Sequence, residues 1–148
     1  MKKYILALFT LLFAGLAAAS AQTERYVITY SGWGRVETGV KMRSGVPVEQ
    51  GIYELDIHRW RKTQGEAVLE PGERQLTLRL PRKEITYNFL TDSYAHHSQD
   101  GWDYVEHFSL ENGVSTCGVW LCTHEDGSRQ ILVLYPNFVQ GYKITPAE

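Results

Sequence analysis

The sequence predicts an all-β protein: a single antiparallel β-barrel or β-sandwich of about seven to nine strands behind a cleaved secretory signal. Three observations predict it. Apolar residues recur at alternate positions through most of the chain after residue 21, tight-turn dipeptides fall between those runs, and no segment there carries a helical period.

The amino-terminal stretch is read first because it bounds the rest. Lys2 and Lys3 precede an apolar run from Tyr4 to Ala19, and Ala19-Ser20-Ala21 offers the small-x-small pattern of a cleavage site. The run is shorter than the ~20 apolar residues that span a bilayer, and it ends in small rather than charged residues, so cleavage is expected instead of anchoring. No cysteine lies near the cleavage point for lipid attachment, and no second apolar stretch follows, so no membrane insertion is expected after cleavage. Residues 1–21 are therefore assigned to the signal and 22–148 to one all-β domain of 127 residues, secreted or periplasmic, without an internal boundary. With 13 basic and 17 acidic residues the domain carries a net charge of −4, scattered without blocks, which argues against nucleic-acid binding.

The strands follow in order. Val36, Thr38, Val40 and Met42 alternate with charged or small neighbours, as do Tyr53, Leu55 and Ile57; then Leu76, Leu78 and Leu80; then Ile85, Tyr87 and Phe89. Trp102, Tyr104, Phe108 and Leu110 continue the pattern, and Ile131–Tyr135 and Phe138–Ile144 are β-branched or aromatic enough to be strands. Asn112-Gly113 favours a tight hairpin because both residues tolerate positive φ; Asp126-Gly127 and Pro71-Gly72 mark further bends. Alternation with polar positions argues against a parallel sheet covered on both faces.

Two cysteines, Cys117 and Cys122, enclose Gly118-Val119-Trp120-Leu121. An oxidising compartment favours a disulfide between them. In a regular strand their side chains would face opposite sides with Cα atoms about 16 Å apart, so a bond requires the chain to turn back, which Gly118 permits. Such a loop would display Val119, Trp120 and Leu121 on a rigid tip. The competing reading makes Val114–His124 one long strand whose cysteines act as small buried hydrophobes. A C-x4-C spacing without an adjacent base does not suit redox catalysis.

His96, His97 and His107 lie near Asp100, Asp103 and Glu106, yet no H-x-H or H-E-x-x-H spacing fixes two metal ligands on one element. No metal or cofactor is predicted, and Thr91–Gly101 reads as a polar connection carrying surface histidines. Asp103, His107 and Ser109 share a strand face, but strand rise sets Asp103 and His107 about 13 Å apart, too far for a triad. Glu106 falls in phase with Trp102, Tyr104 and Phe108; a carboxylate on an apolar face needs a partner or titrates high, and Arg59 is the candidate partner.

Trp60 falls on a polar phase between Arg59 and Arg61, and Trp33 sits in the glycine-rich Ser31-Gly32-Trp33-Gly34. Trp33, Trp60 and the Val119–Leu121 tip are accordingly candidate partner-binding residues. The resulting expectation is a non-enzymatic binding protein, most concretely a small inhibitor of an extracellular enzyme such as a secreted protease. The alternative is a barrel that carries a small apolar ligand; a hydrolytic enzyme using Glu106 and a histidine ranks third. The leader assignment is checked by intact mass of the exported protein: the chain should begin at Gln22, and retention of residues 1–21 would refute it.

Overall fold

A computed structural model describes residues 22–43, 46–90 and 95–148, with side chains described outside 36–56, 95–97 and 99. The leader at 1–21, the side chains of Val36, Thr38, Val40, Met42, Tyr53 and Leu55, and those of His96 and His97 lie outside the described residues. The strands are β1 (Glu24–Arg43), β2 (Val46–Glu70), β3 (Gln75–Leu80), β4 (Lys83–Phe89), β5 (Ala95–Gln99), β6 (Trp102–Glu111), β7 (Ser115–His124), β8 (Arg129–Leu134) and β9 (Phe138–Pro146), with one 3-10 turn at Pro71–Glu73.

Each strand pairs antiparallel with its neighbours in the order β4-β3-β2-β1-β9-β8-β7-β6, and β6 returns to β4, so eight strands close into a barrel. The predicted barrel-or-sandwich choice thus resolves to a barrel. The seam is short: Tyr87, Asn88 and Phe89 of β4 face Glu111, Leu110 and Ser109 of β6. Beyond it, Asn112 donates its N–H to the Thr86 carbonyl at 2.7 Å and accepts the Thr86 N–H on its side chain at 3.0 Å. The turn residue that makes the β6–β7 hairpin therefore also extends the seam.

Turn chemistry explains the corners. Asn112 and Gly113 have φ of 49° and 73°, the two positive values of a primed hairpin turn. Asp100 and Gly101 repeat this at 53° and 81°. That second hairpin corrects the polar connection expected over Thr91–Gly101: it folds Ala95–Gln99 back as β5 on the β6 residues Glu106–Trp102, outside the barrel ring.

Inside the barrel, the inward positions meet as one core of Ile28, Ala67, Leu76, Leu78, Ile85, Tyr87, Cys117, Val119, Ile131, Val133, Tyr142 and Ile144. A second core lies on the outer face of β6–β9. Cys122, Leu132, Leu134 and Val139 are buried there, with Ile57, Trp102, Tyr104 and Trp120 packed against them. The apolar phase of β6, Trp102-Tyr104-Glu106-Phe108, faces this outer side, while Val105, His107 and Ser109 pair across from the inward Leu121, Val119 and Cys117. Sheet faces that are apolar on both sides need a cover. Part of that cover is the β1–β2 ribbon, which folds Ile57 and Trp60 onto β9.

The seating depends on two glycines directly opposite each other, Gly32 of β1 and Gly141 of β9. Between the pairs Ser31–Arg61 and Trp33–His58, two β2 residues oppose Gly32 alone, a bulge in which Arg59 takes φ 57°. The bulge turns the Trp60 indole over the glycine pair. A Cβ on Gly141 would stand 2.7 Å from Ile57 Cδ1 and 2.9 Å from Trp60 Cη2; one on Gly32 would stand 2.9 Å from Trp60 Cε3. Lys143 Nζ lies 4.6 Å from the ring centre of the same indole, a cation–π contact.

Gly141→Ala should therefore overpack this contact and cost about 1–3 kcal/mol in urea unfolding. Combining it with Trp60→Leu should cost less than the sum of the two single changes, because the small side chain relieves the clash. Strict additivity would mean that the indole does not rest on Gly141.

Candidate functional site

One end of the barrel interior is open and apolar. Residues at the strand ends bring their side chains to it: Tyr26 in phase with Ile28, Leu69 with Ala67, Leu121 with Val119, and Arg129 with Ile131 and Val133. They enclose a cleft of about 240 Å³ whose apolar wall is Leu69, Leu76, Leu121, Ile131 and Ile144. Its rim is polar. Arg129 Nη1 donates to the Tyr26 hydroxyl at 3.0 Å, and that hydroxyl donates to Glu24 Oε2 at 2.9 Å. The guanidinium also lies 5.6 Å from the Tyr26 ring centre. Partial burial, with the bond to Glu24, raises the Tyr26 phenol above its ordinary range. Among the described residues the hydrogen-bond partner of Arg129 is this neutral hydroxyl, not a carboxylate.

The opposite end is packed with larger, polar-tipped groups. Tyr135 donates to Glu111 Oε1 at 2.7 Å, and burial raises the phenols of Tyr87 and Tyr135 well above the usual range and that of Tyr142 to about 12. His107 stacks on Phe89 with ring centres 4.2 Å apart, and burial lowers its pKa. Ser109 donates to the His107 carbonyl at 3.0 Å. These groups fill that end of the barrel as a plug.

Two depressions mark the outer face. An aromatic groove of about 250 Å³ is lined by Ile57, Trp60, Trp102, Tyr104, Gln130 and Leu132. A wider acidic cleft of about 550 Å³ adjoins it through Trp102, bordered by Asp100, Asp103, His124 and Glu125. Asp126 accepts the Ser128 N–H at 2.8 Å, and the Ser128 hydrogen bonds, with His124 beside it, hold its carboxyl down at about 2. Among the described residues no group of three His, Cys, Asp or Glu side chains could hold a metal ion.

The expected disulfide is not present. Cys117 and Cys122 are free, buried, and part of one unbroken strand, β7. Cys117 pairs across from Ser109 and joins the inner core, whereas Cys122 pairs across from Tyr104 and joins the outer one. Five positions is an odd spacing, and an odd spacing in a strand puts two side chains on opposite faces. The rigid tip falls with the bond: Val119 is fully buried, Leu121 packs against the inner core, and Trp120 lies within the outer one.

The remaining sequence candidates are dispersed. Trp33 is 48% exposed with Arg59 over its ring at 5.7 Å, so Arg59 is placed on Trp33 and not as the expected inward partner of Glu106. Glu106 stands on the outer face beside Trp120, its pairing partner. Trp60 contributes to the aromatic groove but is held by the glycine pair. Sequence reasoning missed Tyr26 and Arg129. The available signal was Arg129's phase with Ile131 and Val133, which places a cation on the inward side of a strand.

Burial pushes the Cys122 thiol up to about 12 and the Cys117 thiol up to about 11. Both folded values exceed the unfolded value of about 8.5, so the contribution is whole below that pH and is lost as pH rises towards the folded values. Stability should fall between pH 9 and 10 by about 1 kcal/mol for each of the two thiols, with the raised phenols of Tyr87, Tyr135 and Tyr142 adding to the slope, and Cys122→Ala should remove about one thiol's share. Urea titrations at stepped pH check this; a flat profile to pH 10 would refute it. Denatured, unreduced protein should titrate with two free thiols. Comparison of the chain with protein-family models, curated proteins and solved structures gave no match, so its function is argued from this geometry alone.

Proposed function

We propose that the protein is a non-enzymatic binding barrel that takes a small, mainly apolar ligand at its open mouth, acting outside the cytoplasm if residues 1–21 export it. The observation that carries this reading is the cleft of about 240 Å³ walled by Leu69, Leu76, Leu121, Ile131 and Ile144, with the Arg129–Tyr26–Glu24 relay, Thr123 and Gln130 as its polar groups. Eight strands is the size at which a barrel interior is either filled or left with room for one small ligand. Binding sites typically combine an apolar lining with few convergent polar groups, and this cleft lies just below their usual lower volume of about 300 Å³, so its ligand is small. The inhibitor reading loses its chief support, because the constrained loop it needed is the middle of β7.

Titration calorimetry of the purified protein with octan-1-ol tests the proposal. One saturable site with a negative heat-capacity change is expected. Leu121→Trp should weaken it by about tenfold or more by filling the cleft, with Leu69→Trp at the mouth as a second filling variant should the first not melt cooperatively. No saturable binding to the folded protein, or unchanged affinity in the folded filling variants, would overturn the assignment.

A further inference from the structure

We propose that the ligand of the mouth cleft is an amphipathic anion, an alkyl chain bearing a carboxylate, whose charged end is held by Arg129. This rests on the reading of the cleft as a ligand site and adds the chemical class.

The argument is charge complementarity between an apolar cleft and its rim. The wall of Leu69, Leu76, Leu121, Ile131 and Ile144 suits an alkyl chain, and beside the relay Thr123 and Gln130 are the neutral polar residues of the lining. Arg129 is half-buried at the edge of that wall and brings a planar cationic guanidinium to it. Its partner among the described residues, the Tyr26 hydroxyl, is neutral and accepts one N–H at 3.0 Å. The hydroxyl proton is already committed to Glu24 at 2.9 Å, so Tyr26 can only accept from the guanidinium side. A guanidinium has five N–H donors in a planar fork, and a carboxylate is the acceptor that meets two of them in parallel. Glu24 is exposed and bonds to the other side of the Tyr26 hydroxyl, so it tempers the charge of Arg129 through one intervening group but takes none of its N–H donors. A ligand with an apolar tail in the cleft and a carboxylate at the rim satisfies both parts of the site at once. A neutral alcohol satisfies only the first, and an alkylammonium meets Arg129 as a like charge, with Glu24 on the other side of the Tyr26 hydroxyl as its counter-charge.

Three probes of equal chain length separate these cases: octanoate, octan-1-ol and octylammonium, titrated at neutral pH and fixed ionic strength. Octanoate is expected to bind about tenfold more tightly than octan-1-ol, the range of a charge-assisted hydrogen bond, with octylammonium weakest. Arg129→Gln should bring the octanoate-to-octanol ratio close to one, and Arg129→Lys, which keeps the charge but loses the fork, should leave a reduced preference. Equal binding of octanoate and octan-1-ol to the wild-type protein would overturn the anion proposal while leaving the carrier reading intact. So would an octanoate preference that survives in Arg129→Gln. If neither probe binds the folded wild-type protein, both proposals fail together.

Discussion

The interior of this protein depends on a seam three residues wide. Tyr87–Phe89 of β4 and Ser109–Glu111 of β6 are the pairing that turns eight strands from an open sheet into a barrel. Without it, β4 and that part of β6 would present open edges, and an open edge is a template for pairing with another chain. The seam is reinforced from outside its own length. Asn112 ties to Thr86 at one end, and the Leu90 N–H donates to the Phe108 carbonyl at 2.9 Å at the other. The remaining length of this β6 edge is taken by β5, so one strand serves as both barrel wall and hairpin partner. The inner core, the mouth cleft and the Arg129–Tyr26–Glu24 relay all presuppose this closure.

A second constraint is that β7, β8 and β9 are apolar on both faces. A small barrel ordinarily keeps its hydrophobic side in and its polar side out, and burying Leu132, Leu134 and Val139 on the outside requires a cover. The β1–β2 ribbon supplies part of it through Ile57 and Trp60. The two glycines that let Trp60 approach the backbone are the cost, since glycine in a strand interior packs nothing of its own. Here the vacated space is filled by a side chain from another strand. The same arrangement explains why Glu106 is tolerated in an apolar phase: it occupies the margin of the outer core, and the barrel interior is untouched by it.

Much of the fold was legible in the sequence. Alternation grouped Leu76 with Leu78 and Ile85 with Tyr87, all of them buried in the barrel, and Asn112-Gly113 marked its hairpin correctly. Alternation reports which residues share a face, however, and not which face is inside. Trp102, Tyr104 and Phe108 share a face, and that face is the outer one, because the inner side of β6 is the more polar Val105-His107-Ser109. The cysteine pair misled for a related reason. Compartment argued for a bond, whereas the strand's own parity argued against it, and local geometry prevailed. The mouth was the least legible part. Tyr26 and Arg129 are 103 positions apart, and nothing local announces that they meet. Their contact is a product of register: β1 on β9, β9 on β8.

That register has a consequence for when the chain can fold. The first strand pairs with the last, Tyr26–Arg35 against Phe138–Pro146, and without β9 both β1 and β8 are left short of a neighbour. A nascent chain can pair β1 with β2 early, but the other edge of β1 has no native partner until synthesis is nearly complete, and contacts of such long sequence separation are slow to form. The topology acts as a timer, holding the barrel open until the whole chain is in one place.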